Sequence, residues 1–211
     1  MTNAEPTTGS PQQPAARGPR STSSVGSAAR NISQMAIFAA LVAVLGQVAA
    51  LPVGPVPITL QTMGVMLTGA VLGPWRGTGA MVLLNALTAA GMPLMAQGSG
   101  GLGVYAGPTA GFALGFIPGA LVIGLIVQHR WPLRWWRTVV GVLVGAVAVI
   151  YACGVPVMAY QLGISLQEAV GVNMIFLPGD GLKAALAVLV THSLARAYPS
   201  AFTQRRSADR G

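Results

Sequence analysis

Two charges three residues apart interrupt an apolar run near the C-terminus. The stretch FLPGDGLKAAL (176–186) carries Asp180 and Lys183. At i and i+3 on a helix they share one face. An isolated charge at the centre of a membrane helix costs about 2.5–3.5 kcal/mol on insertion scales, and pairing offsets part of that. The pair can be a plain ion pair at a helix entrance, with Asp180 also favoured by the positive helix N-terminus. It can instead anchor a ligand, since a carboxylate accepts N–H groups and an ammonium donates to a carbonyl or carboxylate. Ionisable residues inside membrane segments mark functional sites by default. Pro178 and Gly179 mark a helix start that would aim both groups at a cavity.

A second stretch, QGSGGLGVYAG (97–107), is dense in glycine, with Gly98, Gly100, Gly101, Gly103 and Gly107. Glycine lets backbone approach a ligand closely and adopt positive φ. The lysine and hydroxyl that end a phosphate-binding loop are absent, as is the strand–helix unit of a dinucleotide site. The stretch is either a tight connection between two spans or part of a binding pocket. In the second case Gln97 and Tyr105 are the side chains best suited to bond a buried ligand, with the backbone at Gly98, Gly100 and Gly101 beside them. Asn85, Gln61 and Thr62 are further polar residues inside apolar runs. Such groups more often bridge helices than bind ligands; Asn85 is kept as a candidate for either role.

The elements that must position these residues follow from composition. Only 8% of the 211 residues are charged and 53% are hydrophobic, against roughly 25% charged in a soluble domain. A mean hydropathy of +0.65 agrees. The formal charge of +8 is not the basic face of a nucleic-acid binder, because the cations sit in short clusters between apolar runs. One cysteine, Cys153, excludes an internal disulfide and any multi-cysteine metal site.

A bilayer core needs about 20 apolar residues per helix. Six segments qualify: 32–51, 58–74, 77–96, 107–128, 138–160 and 175–196. The expectation is therefore an all-α integral membrane protein of six transmembrane helices. Residues 1–30, rich in Ser, Thr, Pro, Ala and Gly, read as a disordered tail, residues 31–197 as the membrane domain, and residues 198–211 as a basic tail. With six spans, Arg17, Arg20, Arg30, Arg76, Arg130, Arg134, Arg137, Arg196, Arg205, Arg206 and Arg210 all fall on one face. The positive-inside rule makes that face, and both termini, cytoplasmic. Lys183 is the one cation outside it. The opposite face carries the connections 51–59, 91–109 and 161–180. They are too apolar for free solvent loops, so they are expected to cap a cavity.

Small residues recur at four-residue spacing. Ala36 with Ala40 and Ala39 with Ala43 form stripes in the first span, Gly111, Gly115 and Gly119 one in the fourth, and Gly141 with Gly145 one in the fifth. These allow close helix contact, inside the bundle or with a partner protein.

Catalysis is less well supported. Six spans, a Gly-Ser-Gly and a late histidine suggest a rhomboid-type serine protease, with Ser99 as nucleophile and His192 as base. Ser99 lies in an outer connection, and His192 is twelve residues beyond Asp180, roughly 18 Å deeper. The two could not meet at hydrogen-bond distance. No metal-ligand cluster or nucleotide motif is present, so transport would draw on another subunit or an ion gradient. A proton-coupled secondary transporter of a small vitamin-like solute is the alternative. Asp180 would be its proton site, although a carboxyl beside an ammonium tends to hold its charge. The inverted repeats common in such carriers are not evident.

Three long motifs, in order, carry a resemblance: PVPITLQTMGVMLTGAVLGPWRG (55–77), GMPLMAQGSGGLGVYAGPTAGFALGF (91–116) and FLPGDGLKAAL (176–186). Over residues 31–197 the chain resembles the biotin-specific substrate-capture (S) components of energy-coupling-factor (ECF) transporters, the BioY family. The resemblance implies a six-helix protein of the cytoplasmic membrane that binds biotin at its outer end. Asp180 and Lys183 would meet the ureido ring, and Gln97 and Tyr105 would complete the pocket. The Ala-xxx-Ala motif of the first helix (Ala36, Ala39, Ala40, Ala43) resembles the surface that docks on a shared transmembrane coupling subunit. Two ATPase subunits would drive transport, with the S component toppling to carry biotin across. No cofactor is implied. Phe112 stands where many relatives have tyrosine, and Met92 and Met95 where Leu and Phe are frequent. No arginine lies on the outer side, so the biotin carboxylate must be met by Lys183, hydroxyls or backbone N–H groups.

Overall fold

The computed structural model describes residues 22–48, 57–129, 132–199 and 202. Most of the expected N-terminal tail, the greater part of the first outer connection and most of the C-terminal tail lie outside them. Among the described residues seven α-helices run in order: α1 (Thr22–Gln47), α2 (Gln61–Ala89), α3 (Ala110–Val127), α4 (Trp135–Val142), α5 (Ile150–Leu162), α6 (Leu166–Met174) and α7 (Leu177–Ala197). A π-helical segment, Leu143–Val149, joins α4 to α5 without a break, so Trp135–Leu162 is one long span. Helix α1 starts before residue 31, taking 22–30 out of the stretch read as a tail.

Helix α2 is two spans. Gly73 breaks it with φ 78° and ψ −177°. Only glycine adopts that conformation without strain. Pro74 follows, with a preset φ and no N–H to lose, which suits a helix start. The chain folds back there: a Cβ on Gly77 would lie 3.2 Å from the Gly69 Cα. The carbonyls that end the first half would be orphaned. Gln128, at the end of α3, donates its amide to Ala70 O at 2.9 Å and Val71 O at 2.8 Å. Gln128→Ala should therefore destabilise the fold by about 1–3 kcal/mol, the cost of leaving buried carbonyls unpaired, read as a lower thermal midpoint in detergent.

The six spans are thus α1, 61–72, 74–89, α3, the α4–α5 unit and α7, close to the segments read from hydropathy. Gly26–Gln47, Ala110–Val127 and Trp135–Leu162 are each long and apolar enough to cross a membrane, and α6 with α7 passes as a pair bent by 55°. Both halves of α2 are shorter than the about 20 residues that a bilayer core asks for. They are the most enclosed elements, with Val65, Met66, Leu67, Ala70, Ala80, Met81 and Leu84 all buried.

The glycine stripes pack inside. A Cβ on Gly115 would sit 3.0 Å from the Cys153 Cβ, and one on Gly119 2.8 Å from Ile150 Cγ1. A Cβ on Gly141 would lie 2.8 Å from Val127 Cγ2, and one on Gly145 2.7 Å from the Gly119 carbonyl. The alanine stripes divide. Ala39 and Ala43 are 4% and 7% exposed and belong to the core. They cannot also face a partner, so the docking expectation narrows to Ala36 and Ala40. Both are exposed, next to exposed Ile37 and Val44.

Candidate functional site

Helix α7 starts at Leu177 with Pro178 in its first turn, which places Asp180 near the positive end of the helix and Lys183 one turn on. Both are buried, at 4% and 7% exposure. Lys183 Nζ donates to Asp180 Oδ1 at 2.9 Å. Two other spans reach the pair. Tyr151 of α5 donates its hydroxyl to Asp180 Oδ2 at 2.6 Å. Thr62 of α2 accepts from Lys183 at 3.3 Å and donates to Asp180 Oδ1 at 3.4 Å. The π segment ends two residues before Tyr151. Such wide turns shift helix register and occur often at functional sites.

This cluster forms one wall of a cavity of about 60 Å³, closed by Pro57, Thr59, Phe112, Asn173 and Phe176. Pro57, Thr59, Thr62 and Phe112 also line a neighbouring cavity of about 290 Å³. The larger one extends to the glycine-rich connection, through Met95, Gln97, Ser99 and Val104, and to α3, through Thr109 and Phe116. Its volume sits at the lower end of small-molecule sites, which run from about 300 Å³ upward. Apolar walls with a few convergent polar groups are the usual form of such sites. Phe112 stands between the two cavities and meets Tyr151 edge to face, centroids 6.0 Å apart.

The connection that roofs the larger cavity holds its own shape. Two 3-10 turns, Ala96–Gly98 and Leu102–Ala106, follow one another, and Met95 pairs with Ser99. Gln97 itself has φ 57°. Helix α1 clips this roof: Gln47 donates to Met95 O at 2.9 Å and to Pro93 O at 3.3 Å. Gln61 donates to Leu94 O at 3.3 Å.

The expected site residues separate accordingly. Asp180 and Lys183 line the small cavity, and Gln97 lines the large one. Tyr105 and Asn85 engage each other: the tyrosine hydroxyl lies 2.8 Å from Asn85 O and 3.0 Å from its Oδ1. That pair ties the glycine-rich connection to α2, and neither residue lines a cavity described here. Gly98, Gly100 and Gly101 serve the turn itself. Gly98 and Gly101 have positive φ, and a Cβ on Gly100 would strike the Met92 carbonyl. Tyr151 and Thr62 bond the charge pair and Asn173 lines the same cavity, none of them having been singled out as a ligand group. Tyr151 could have been found as a hydroxyl in the middle of an apolar span, but nothing in its spacing names its partner. At the other end of α7, His192 bonds Thr138 at 3.0 Å and stacks on Trp135. It serves helix packing, away from Ser99 in the roof.

Comparison with known proteins identifies the family. The family model described as "BioY family" matches residues 16–200. This chain belongs to the BioY family. The biotin transporter BioY of Rhodobacter capsulatus is 43% identical over 188 residues, covering 83% of this chain and 98% of that protein. The biotin transporter BioY of Rhizobium etli is 36% identical, covering 81% and 95%. Among solved structures, the S-component for biotin from an ECF-type ABC transporter aligns with a TM-score of 0.75 at 29% identity, over 81% of this chain and 93% of that one. BioY proteins are membrane transporters, in keeping with the apolar spans described above.

Proposed function

We propose that this chain captures biotin at the outer face of the cell membrane as the substrate-binding subunit of an ECF-type transporter. The observation that carries the reading is the buried Asp180–Lys183 pair, held by Tyr151 and Thr62 at the wall of a small cavity that adjoins one of about 290 Å³, in a BioY chain. Lys183 donates to the ureido carbonyl and Asp180 accepts a ureido N–H, charge-assisted bonds about twice as strong as neutral ones. The ring system lies against Phe112, and the valerate chain extends along Met95, Val104 and Phe116. Its carboxylate meets Gln97, Ser99, Thr59 and Thr109, four of the polar residues that line the larger cavity. The chain acts as a binding subunit rather than an enzyme, with ATP hydrolysis assigned to two partner subunits.

Both termini are assigned to the cytoplasm. Arg76, at the head of the 74–89 half, donates to Gln34 of α1 at 2.8 Å. The start of α4, with Arg134 and Arg137, meets the end of α7 through Thr138 and His192. Clustering of cations at one end is what the positive-inside rule reads as cytoplasmic.

Equilibrium binding of biotin to the detergent-purified protein tests the capture reading; no binding by a folded sample sinks it. Docking on the coupling subunit is tested separately with Ala36→Trp/Ala40→Trp. This variant should bind biotin as the wild type does, yet fail to co-purify with a transmembrane subunit and its ATPases. Retained assembly would remove α1 from the docking surface.

A further inference from the structure

Asn173 closes the last turn of α6, just before the 55° bend into α7. The bend sets Asn173 and Asp180 around one cavity, although the two sit on different helices. Asn173 is 2% exposed. Its Nδ2 is committed: it donates to Ala169 O at 2.8 Å and approaches Met158 Sδ at 3.6 Å. That contact orients the amide, because exchanging N and O would put two acceptors face to face. Its Oδ1 is left as a buried acceptor with no partner among the described residues. Buried polar oxygens are normally paired, so an exception asks for a reason.

The Asp180 carboxylate nearby is nearly saturated. It accepts from Tyr151, Lys183 and Thr62. A carboxylate offers about four lone-pair positions, so one remains for a ligand donor. A cyclic urea presents two N–H donors on either side of its carbonyl. The second needs another acceptor.

We infer that Asn173 Oδ1 receives the second ureido N–H of the ligand, making Asn173 a specificity-determining residue for a two-donor cyclic urea. This rests on the biotin reading above. Lys183 then takes the carbonyl, and Asp180 and Asn173 take one N–H each. A ring with one N–H replaced or blocked leaves one acceptor unmet.

The test crosses Asn173→Ala with two biotins, each methylated on a different ureido nitrogen, using equilibrium binding to the full chain. In the wild type, both methylations should weaken binding by about 10-fold or more, one neutral hydrogen bond plus the exposed partner. In Asn173→Ala, biotin itself should bind about 10-fold more weakly, and one of the two methylation penalties should shrink to less than about 3-fold while the other persists. Asn173→Leu, which refills the space of the amide, should give the same pattern if the alanine variant does not fold. Methylation penalties unchanged by either substitution would make Asn173 a packing residue and overturn the inference. A wild type that ignores both methylations would do the same while leaving biotin capture standing. A folded wild type that does not bind biotin at all overturns both.

Discussion

Asp180→Asn should abolish high-affinity binding and weaken the fold at the same time. The carboxylate has three partners from three different elements. Removing its charge leaves the Lys183 ammonium buried without a counter-ion. Breaking a buried ion pair in this way costs about 3–5 kcal/mol. The ligand also loses an ionic acceptor, which should lower biotin affinity by about 100-fold. A second variant separates the two effects. Asp180→Asn/Lys183→Met removes both charges, and replacing a buried pair by apolar groups is often neutral for stability. The double variant should recover the thermal midpoint and still fail to bind. Recovery of both stability and affinity would reduce the pair to an ion pair without a role at the ligand. Equilibrium binding with a parallel thermal melt in detergent reads both quantities.

Gly124→Ala should be nearly as damaging, far from any ligand. Gly124 of α3 lies against the turn between the halves of α2. A Cβ there would sit 2.6 Å from the Pro74 Cα and closer still to the Gly73 carbonyl carbon and Pro74 nitrogen. These are backbone atoms of a turn already committed to a positive φ at Gly73. They cannot swing aside as a side chain does. Overpacking costs about 1–3 kcal/mol where neighbours can adjust, and more where they cannot. The expected result is a loss at or above that range, seen as a lower midpoint or failure to purify. Gly103→Ala is the control: nothing lies within 4 Å of the added Cβ. If the two variants melted together, close approach of α3 to the Gly73 turn would not be limiting.

Much of this protein was readable before any tertiary contact was known. Hydropathy placed six spans, because a bilayer demands long apolar helices whatever they pack against. Gly73-Pro74 is a turn signal in any context, and it divides α2 where the second and third expected spans meet. Asp180 and Lys183 stood out because two charges in an apolar run need a reason. Other features depended on distant neighbours. The first span carries two alanine stripes of the same spacing, and only packing against α2 decides that Ala39 and Ala43 face inward while Ala36 and Ala40 face outward. Tyr105 and Asn85 were each plausible ligand groups; twenty residues apart, they turn out to satisfy each other.

What the sequence by itself determined is a membrane protein of six apolar helices, its family, and one buried charge pair in need of partners. The spans and the charge pair follow from composition, periodicity and local spacing, which act within a few residues along the chain; the family follows from the resemblance that three ordered motifs carry. What only the tertiary structure decided is who those partners are. Thr62 lies 118 residues before Asp180 and Tyr151 lies 29 before it, and no local rule links such distances. The π segment ahead of Tyr151 and the bend between α6 and α7 bring Tyr151, Asn173 and Asp180 around one cavity. Which polar atoms are spent on one another is settled there, because hydrogen bonds are allotted by geometry in space rather than by order in the chain.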